Sequence, residues 1–234
     1  MNGSASRDLC DLLGSERPIV QAPVGECATP ELVAAVAEAG GIGTLACTWT
    51  APERLPELVA RVRALTPGRF AANLVLWFDV DAQLDALLAL AVPVVTFSWG
   101  QPGRRRIERC HAAGARVVVQ VGSAAGALEA AADGADILVA QGVEAGGHVQ
   151  SSTPLRALLD DVLAAAGAVP VVAAGGLALR AHVERVLASG AAGAMLGTSF
   201  LATAESGAHD EYKAALVSAG DRSTALTVCF DGEW

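Results

Sequence analysis

The residues of this chain best suited to chemistry fall into four short segments rich in glycine and side-chain amides, one of which ends in a histidine. The most distinctive is Gln141-Gly142-Val143-Glu144-Ala145-Gly146-Gly147-His148. Its imidazole can exchange a proton near neutral pH, and Gly146 and Gly147 allow a ligand to approach the main chain closely. The same residue types also suit a flexible loop with a surface histidine. Ala173-Ala174-Gly175-Gly176 and Gly197-Thr198-Ser199 each follow an apolar run and precede helical spacing. At such places the unpaired amides of Gly175, Gly176, Gly197 and Thr198, with the helix dipole behind them, favour an anion such as phosphate. The fourth segment, Gln21-Ala22-Pro23-Val24-Gly25, is small enough to lie against a flat ring, and equally suits a plain strand-to-loop turn.

Isolated residues add to these. Asn73 and Gln120 close apolar runs, where an amide can bond the edge of a heterocycle or simply serve as an internal polar residue. Trp49, Trp77 and Trp99 follow three successive runs, either packed under loops or forming an apolar pocket wall. His111 and His182 fall in helical stretches and His209 in a polar one, which predicts surface positions; Arg104, Arg105 and Arg106 predict a solvated helix start. No Ser-His-Asp order and no carboxylate pair suggests a hydrolase. Neither a dinucleotide fingerprint nor a phosphate-binding GxxxxGK[ST] is present. Cys10, Cys27, Cys47, Cys110 and Cys229 are scattered and odd in number, which predicts neither a disulfide framework nor a metal site and favours a reducing compartment.

These segments need elements to hold them, and the chain supplies an alternation. Short apolar runs at Ile19–Ala22, Gly43–Ala46, Phe70–Val75, Val92–Phe97, Arg116–Val121, Ile137–Ala140, Val169–Ala174 and Ala194–Leu196 predict eight strands. Helical spacing lies between them, at Glu31–Glu38, Pro52–Leu65, Asp81–Leu90, Gly103–Ala113, Ala124–Ala132, Leu155–Ala165 and Leu179–Ala188, with a final helix from Ser199 to Ala219. Thr29-Pro30 is suited to start the first of these, with threonine as cap and proline in the first turn. The strand runs are continuously apolar, as for a parallel sheet covered on both faces. Eight βα units in one chain predict a (β/α)₈ TIM barrel spanning residues 1–234 as one domain, and place the site at the C-terminal ends of its strands.

The bulk properties agree. Of 234 residues, 53% are apolar and only 4% aromatic, so alanine, valine and leucine must build the core. A formal charge of −9 without a basic cluster argues against nucleic acid and anionic lipid as partners. No apolar run is long enough to span a membrane and the N-terminus lacks a secretory pattern, which predicts a cytoplasmic protein. Either a monomer or a homodimer is compatible with these properties.

In combination, Gln21-Ala22-Pro23, Asn73-Leu74, the Gln141–His148 loop, Ala173-Ala174-Gly175-Gly176 and Gly197-Thr198-Ser199-Phe200-Leu201 resemble the nitronate monooxygenases, formerly 2-nitropropane dioxygenases. The resemblance runs from about Pro18 to the C-terminus with every motif in order. It implies FMN on a TIM barrel, with Asn73, Gln141 and Gly146 against the flavin, and Gly176 and the segment from Met195 through Gly197 to Thr198 around its phosphate. Gln21, Ala22, Pro23, Gln120, Gly147 and Gly175 complete the expected cofactor-binding set. His148 matches the family's active-site histidine, beside the ring, as base or anion anchor. The activity implied is oxidation of small alkyl nitronates by O₂. A similar AGGH loop occurs in an FMN-dependent, NAD(P)H-using enoyl-acyl carrier protein reductase, and a flavin-binding barrel without catalysis or a sugar-phosphate barrel without flavin are further alternatives.

Three features depart from the family pattern. Gln150 stands where members usually carry glycine, Met195 stands where many carry glutamine, and the chain ends at Phe230-Asp231-Gly232-Glu233-Trp234, where relatives continue into a further helical region. The last implies a more open substrate pocket.

Overall fold

In a computed structural model, which describes residues 3–220 and 223–227, the eight expected strands are all present. They are β1 (Ile19–Gln21), β2 (Gly43–Ala46), β3 (Phe70–Val75), β4 (Val94–Ser98), β5 (Arg116–Val121), β6 (Ile137–Gln141), β7 (Val171–Ala174) and β8 (Gly193–Leu196). Every pairing is parallel, in the order β1-β8-β7-β6-β5-β4-β3-β2. The seam between β1 and β2 is narrow. A bridge at Val20 and Ile42 crosses it, with Gln21 N–H donating to Ile42 O at 2.8 Å and Ile42 N–H to Ile19 O at 3.0 Å. The fully buried side chain of Gln21 extends that ladder: its Oε1 accepts from Thr44 N–H at 2.9 Å and its Nε2 donates to Thr44 O at 3.3 Å. A side-chain amide thus does the work of a peptide unit and brings the sheet nearly to closure, a TIM barrel.

The helices are α1 (Gly3–Leu13), α2 (Pro30–Glu38), α3 (Leu55–Leu65), α4 (Asp81–Ala89), α5 (Gly103–Ala112), α6 (Ala124–Asp133), α7 (Leu155–Ala165), α8 (Arg180–Ala188), α9 (Thr198–Leu201) and α10 (Asp210–Ser218). Thr29 caps α2 as expected, its hydroxyl accepting from Leu32 N–H at 3.1 Å. Among the described residues no helix is long and apolar enough to cross a membrane.

Two helical features differ from expectation. The sequence reading does not predict α1, whose polar residues obscure its apolar side. Leu9 and Leu13, four apart and 0% and 2% exposed, come from one face of it and join the barrel-interior residues Val20, Ile42, Ala71, Val94, Val118 and Ile137. The final stretch is not one helix: α9 ends at Leu201 and α10 begins at Asp210. Between them Gly207 N–H donates to Cys27 O at 3.1 Å and Thr29 Oγ1 donates to Glu205 O, so docking on the β1–α2 connection replaces helix continuation.

Arg104, Arg105, His111 and His209 are exposed, as expected, and several of the neighbouring charges are paired. Arg106 is paired with Asp81, and Arg109 bridges Asp81 and Asp85, which ties α5 to α4. The Asp136 carboxylate binds both His111 and Arg116. His182 Nδ1 accepts from Ala178 N–H at 3.3 Å at the start of α8. Among the described residues Cys10, Cys27, Cys47 and Cys110 are free thiols; Cys229 and Phe230–Trp234 lie outside the described residues.

Candidate active site

Strand alternation divides the barrel interior along its axis. Ala71, Val94, Val118, Val139 and Val172 belong to the apolar interior cluster. Two residues further along the same strands the side chains return to the inner face. Those positions are Asn73, Thr96, Gln120, Gln141 and Ala174, with Ser98 two beyond Thr96. The interior is therefore apolar below and amide- and hydroxyl-rich at the C-terminal rim. Below the rim the packing leaves a void of only about 10 Å³, too small for a ligand.

Asn73, 4% exposed, donates through Nδ2 to Thr96 Oγ1 at 2.9 Å and to Ser98 Oγ at 3.3 Å. This orients its oxygen, which has no hydrogen-bond donor among the described residues. Thr96 and Ser98 were not singled out in the sequence. Their signal was two hydroxyls spaced by two within Val94–Ser98, at a strand end whose last residue lay outside the predicted run.

Gln141 governs the histidine loop. Its Oε1 accepts from Gln150 N–H at 2.9 Å and its Nε2 donates to His148 O at 3.3 Å. The donor Gln150 N–H is a backbone group, which fixes the orientation of the amide. Glu144 Oε2 accepts from Leu155 N–H at 2.8 Å and so caps α7 from inside the loop. The exposed His148 ring meets Trp99 edge-on, with centroids 6.1 Å apart and planes at 84°. Trp99 has φ +58, unusual for a bulky residue and located beside the site. Trp49 and Trp77 are 61% and 60% exposed, and the Trp49 ring meets Phe78 edge-on at 5.7 Å.

The three glycine segments meet on the opposite side of the mouth from Asn73. A Cβ on Gly146 would stand 3.0 Å from Thr198 Oγ1, one on Gly175 would stand 3.2 Å from Ala145 N, and one on Gly176 would stand 3.1 Å from Glu144 Cβ. Gly175 and Gly176 have φ +124 and +64, conformations that side-chain-bearing residues avoid. Among the described residues the N–H groups of Gly146, Gly147, Gly175, Gly176, Gly197 and Thr198 donate no main-chain or side-chain hydrogen bond. The expected helix-dipole contribution needs correction. Helix α8 starts only at Arg180, and α9 has four residues, so the anion-binding capacity lies in loop amides more than in macrodipoles.

The remaining expected residues are dispersed. Ala22 borders Gly197, where an added Cβ would lie 3.5 Å away, and Pro23 is half-buried in the same loop. Met195 is 7% exposed and packs in the barrel interior. Gln21 is spent on the barrel seam. Gln120 Nε2 donates to Gln150 Oε1 at 3.2 Å. Gln150, noted in the sequence only as a departure, proves to be a junction of the site.

A family model described as nitronate monooxygenase matches residues 6–83 and 77–234. The chain is 34% identical to a nitronate monooxygenase of Pseudomonas aeruginosa, over 94% of this chain and 76% of that protein. It is 36% identical to a (3aS,4S,5R,7aS)-5-hydroxy-7a-methyl-1-oxo-octahydro-1H-indene-4-carboxyl-CoA dehydrogenase of Mycobacterium tuberculosis, over 96% of this chain and 63% of that one, so the chain spans about two thirds to three quarters of these relatives. Among solved structures, FabK from Thermotoga maritima superposes with a TM-score of 0.91 at 33% identity, covering 96% of this chain and 71% of that one. A nitroalkane oxidase from Streptomyces ansochromogenes superposes with a TM-score of 0.82 at 36% identity, covering 89% of this chain and 72% of that one. With the model match running nearly end to end and the motifs gathered at one mouth of the barrel, the chain belongs to the nitronate monooxygenase family of oxidoreductases.

Proposed function

We propose that this chain is an FMN-dependent oxidoreductase that oxidises small alkyl nitronates with O₂. The observation that carries the reading is the meeting of three glycine loops, with their undonated amides, at one side of a polar barrel rim bordered by His148. A flavin phosphate fits that donor set: the undonated N–H groups of Gly146, Gly147, Gly175, Gly176, Gly197 and Thr198 belong to three loops packed so closely that a Cβ at Gly146, Gly175 or Gly176 would press on the neighbouring loop. The ring would be held across the mouth by the amides of Gln141, Gln120 and Asn73, with Ala22 and Pro23 beside it. When bound, FMN would supply the electron transfer between the nitronate and O₂.

The protein's own part is placement and proton handling. His148 stands at the rim, its ring against Trp99 and its main chain tied to Gln141. From there it can accept the proton next to a nitro group, or hold the anion that results. Met195 contributes through the backbone of its segment, since its side chain is committed to the interior.

A second reading keeps the flavin and draws hydride from NAD(P)H. The similarity to FabK and to a protein named as a CoA dehydrogenase favours it. The test is to load the purified protein with FMN and mix it anaerobically with propyl-2-nitronate or with NADPH. Bleaching by the nitronate alone, followed by recolouring on admission of air, is the expected result. Rapid bleaching by NADPH alone would favour the second reading, and failure to take up FMN would overturn both.

A further inference from the structure

We propose that Gln150 is a specificity-determining residue whose side-chain NH₂ binds an oxygen of the anionic substrate beside His148. The inference rests on the flavin-oxidoreductase reading and extends it to a residue at which this chain departs from the family pattern. Gln150 Oε1 accepts from Trp99 N–H at 3.4 Å and from Gln120 Nε2 at 3.2 Å. A backbone N–H can only donate, so the atom facing Trp99 is the carbonyl oxygen and the NH₂ lies on the other branch of the amide. That NH₂ has no acceptor among the described residues.

The position is built into the fold. The backbone N–H of Gln150 is held by Gln141 Oε1 at 2.9 Å. Its carbonyl is so near β5 that a Cβ on Gly122 would stand 3.1 Å from it. Next along the chain, Ser151 Oγ donates to Gly122 O at 3.0 Å. The amide of Gln150 meets the backbone of Trp99, while the ring of His148 meets its indole. His148 and Gln150 thus share Trp99 as a neighbour, and the proposed small ligand lies between the imidazole and the Gln150 NH₂. The chemistry on offer is a neutral, fixed donor next to an imidazole, which suits a compact planar oxyanion such as a nitronate or its carboxylate isostere.

The test uses FMN-loaded wild type, Gln150→Met and Gln150→Glu. It measures the dissociation constant of 2-methylpropanoate, an unreactive isostere of propyl-2-nitronate, from the perturbation of flavin absorbance, and the FMN dissociation constant from fluorescence. Methionine removes the donor without adding charge. Glutamate keeps an acceptor toward Trp99 and Gln120 and serves as the second variant where methionine impairs folding. The expected result is anion binding weakened about tenfold or more in both variants, with a smaller loss of FMN affinity in Gln150→Met, where Gln120 loses its acceptor, than in anion binding. Unchanged carboxylate affinity in Gln150→Met would overturn the proposal. So would an equal loss of FMN affinity, which would place the donor on the cofactor. Wild-type protein that takes up no FMN would instead refute the functional reading itself.

Discussion

His148 and Gln150 flank a single residue, Val149, and their surroundings assign them different work. The imidazole is exposed at the rim and packed edge-on against Trp99, whereas the amide at 150 is anchored on both sides of its carbonyl. His148→Ala is expected to lower turnover of a neutral nitroalkane by about 10²–10⁴, the ordinary range for losing a positioned proton acceptor. FMN affinity should change little, as an oxygen-electrode assay beside a fluorescence titration would show. Gly175→Val is expected to do the reverse. A side chain at φ +124, with its Cβ 3.2 Å from Ala145 N and from Gly142 O, must displace the histidine loop or its own. FMN binding should weaken at least tenfold, by about 1.4 kcal/mol or more; equal FMN affinity in that variant would remove the cradle from the account. The thiols offer a separate check. Burial pushes Cys47 and Cys110 up to about 12, so neither is a thiolate at neutral pH. Peptide mapping after alkylation of native protein at pH 8 should find Cys10 and Cys27 modified well before Cys47 and Cys110.

At the scale of elements, the strands were legible because a parallel barrel strand is apolar on both faces and cannot be confused with its alanine-rich neighbours. Seven of the helices were legible for the complementary reason, their spacing. Helix α1 was not, since its apolar residues Leu9 and Leu13 acquire meaning only when a barrel end exists to be covered. The break between α9 and α10 was hidden because it depends on hydrogen bonds to the β1–α2 connection, far away in sequence. The place of the glycine loops at the C-terminal rim was legible, but the seam bonding of Gln21 was not. A glutamine at a strand end reads as a ligand contact, and the narrow β1–β2 seam that claims it is a property of closure. Gln150 was hidden similarly, its partners being brought to it from the ends of β4, β5 and β6. Leu9→Ala is expected to cost about 2–5 kcal/mol in urea unfolding, through a cavity at the end of the barrel. The α4–α5 ion pairs predict a pH dependence. Hydrogen bonding from Arg106, then from Arg109, holds the Asp81 carboxyl below its ordinary value. Its contribution is therefore full above the ordinary carboxylate range and is lost as pH falls through the lowered value. Because the side chain is 51% exposed, Asp81→Asn should cost about 1 kcal/mol or less at pH 7. The difference from wild type should vanish in strong acid, and a penalty that persisted there would be steric instead.

The molecule as a whole separates stability from chemistry along one axis. Leucines of α1 and the lower interior residues supply an apolar plug, while amides, hydroxyls, bare main-chain N–H groups and one imidazole are collected at the other end. A ligand spanning that upper rim would have an anionic end among the loops after β6, β7 and β8 and a flat polar end facing β3, β4 and β5. The proposed FMN site requires the phosphate to matter, and comparing FMN with riboflavin isolates it, because the two share the ring and differ by that group. Fluorescence titration of the purified protein with each should give FMN a dissociation constant at least about 100-fold lower, the worth of two or more charge-assisted hydrogen bonds. Equal affinity for the two flavins, or binding of neither, would contradict the account.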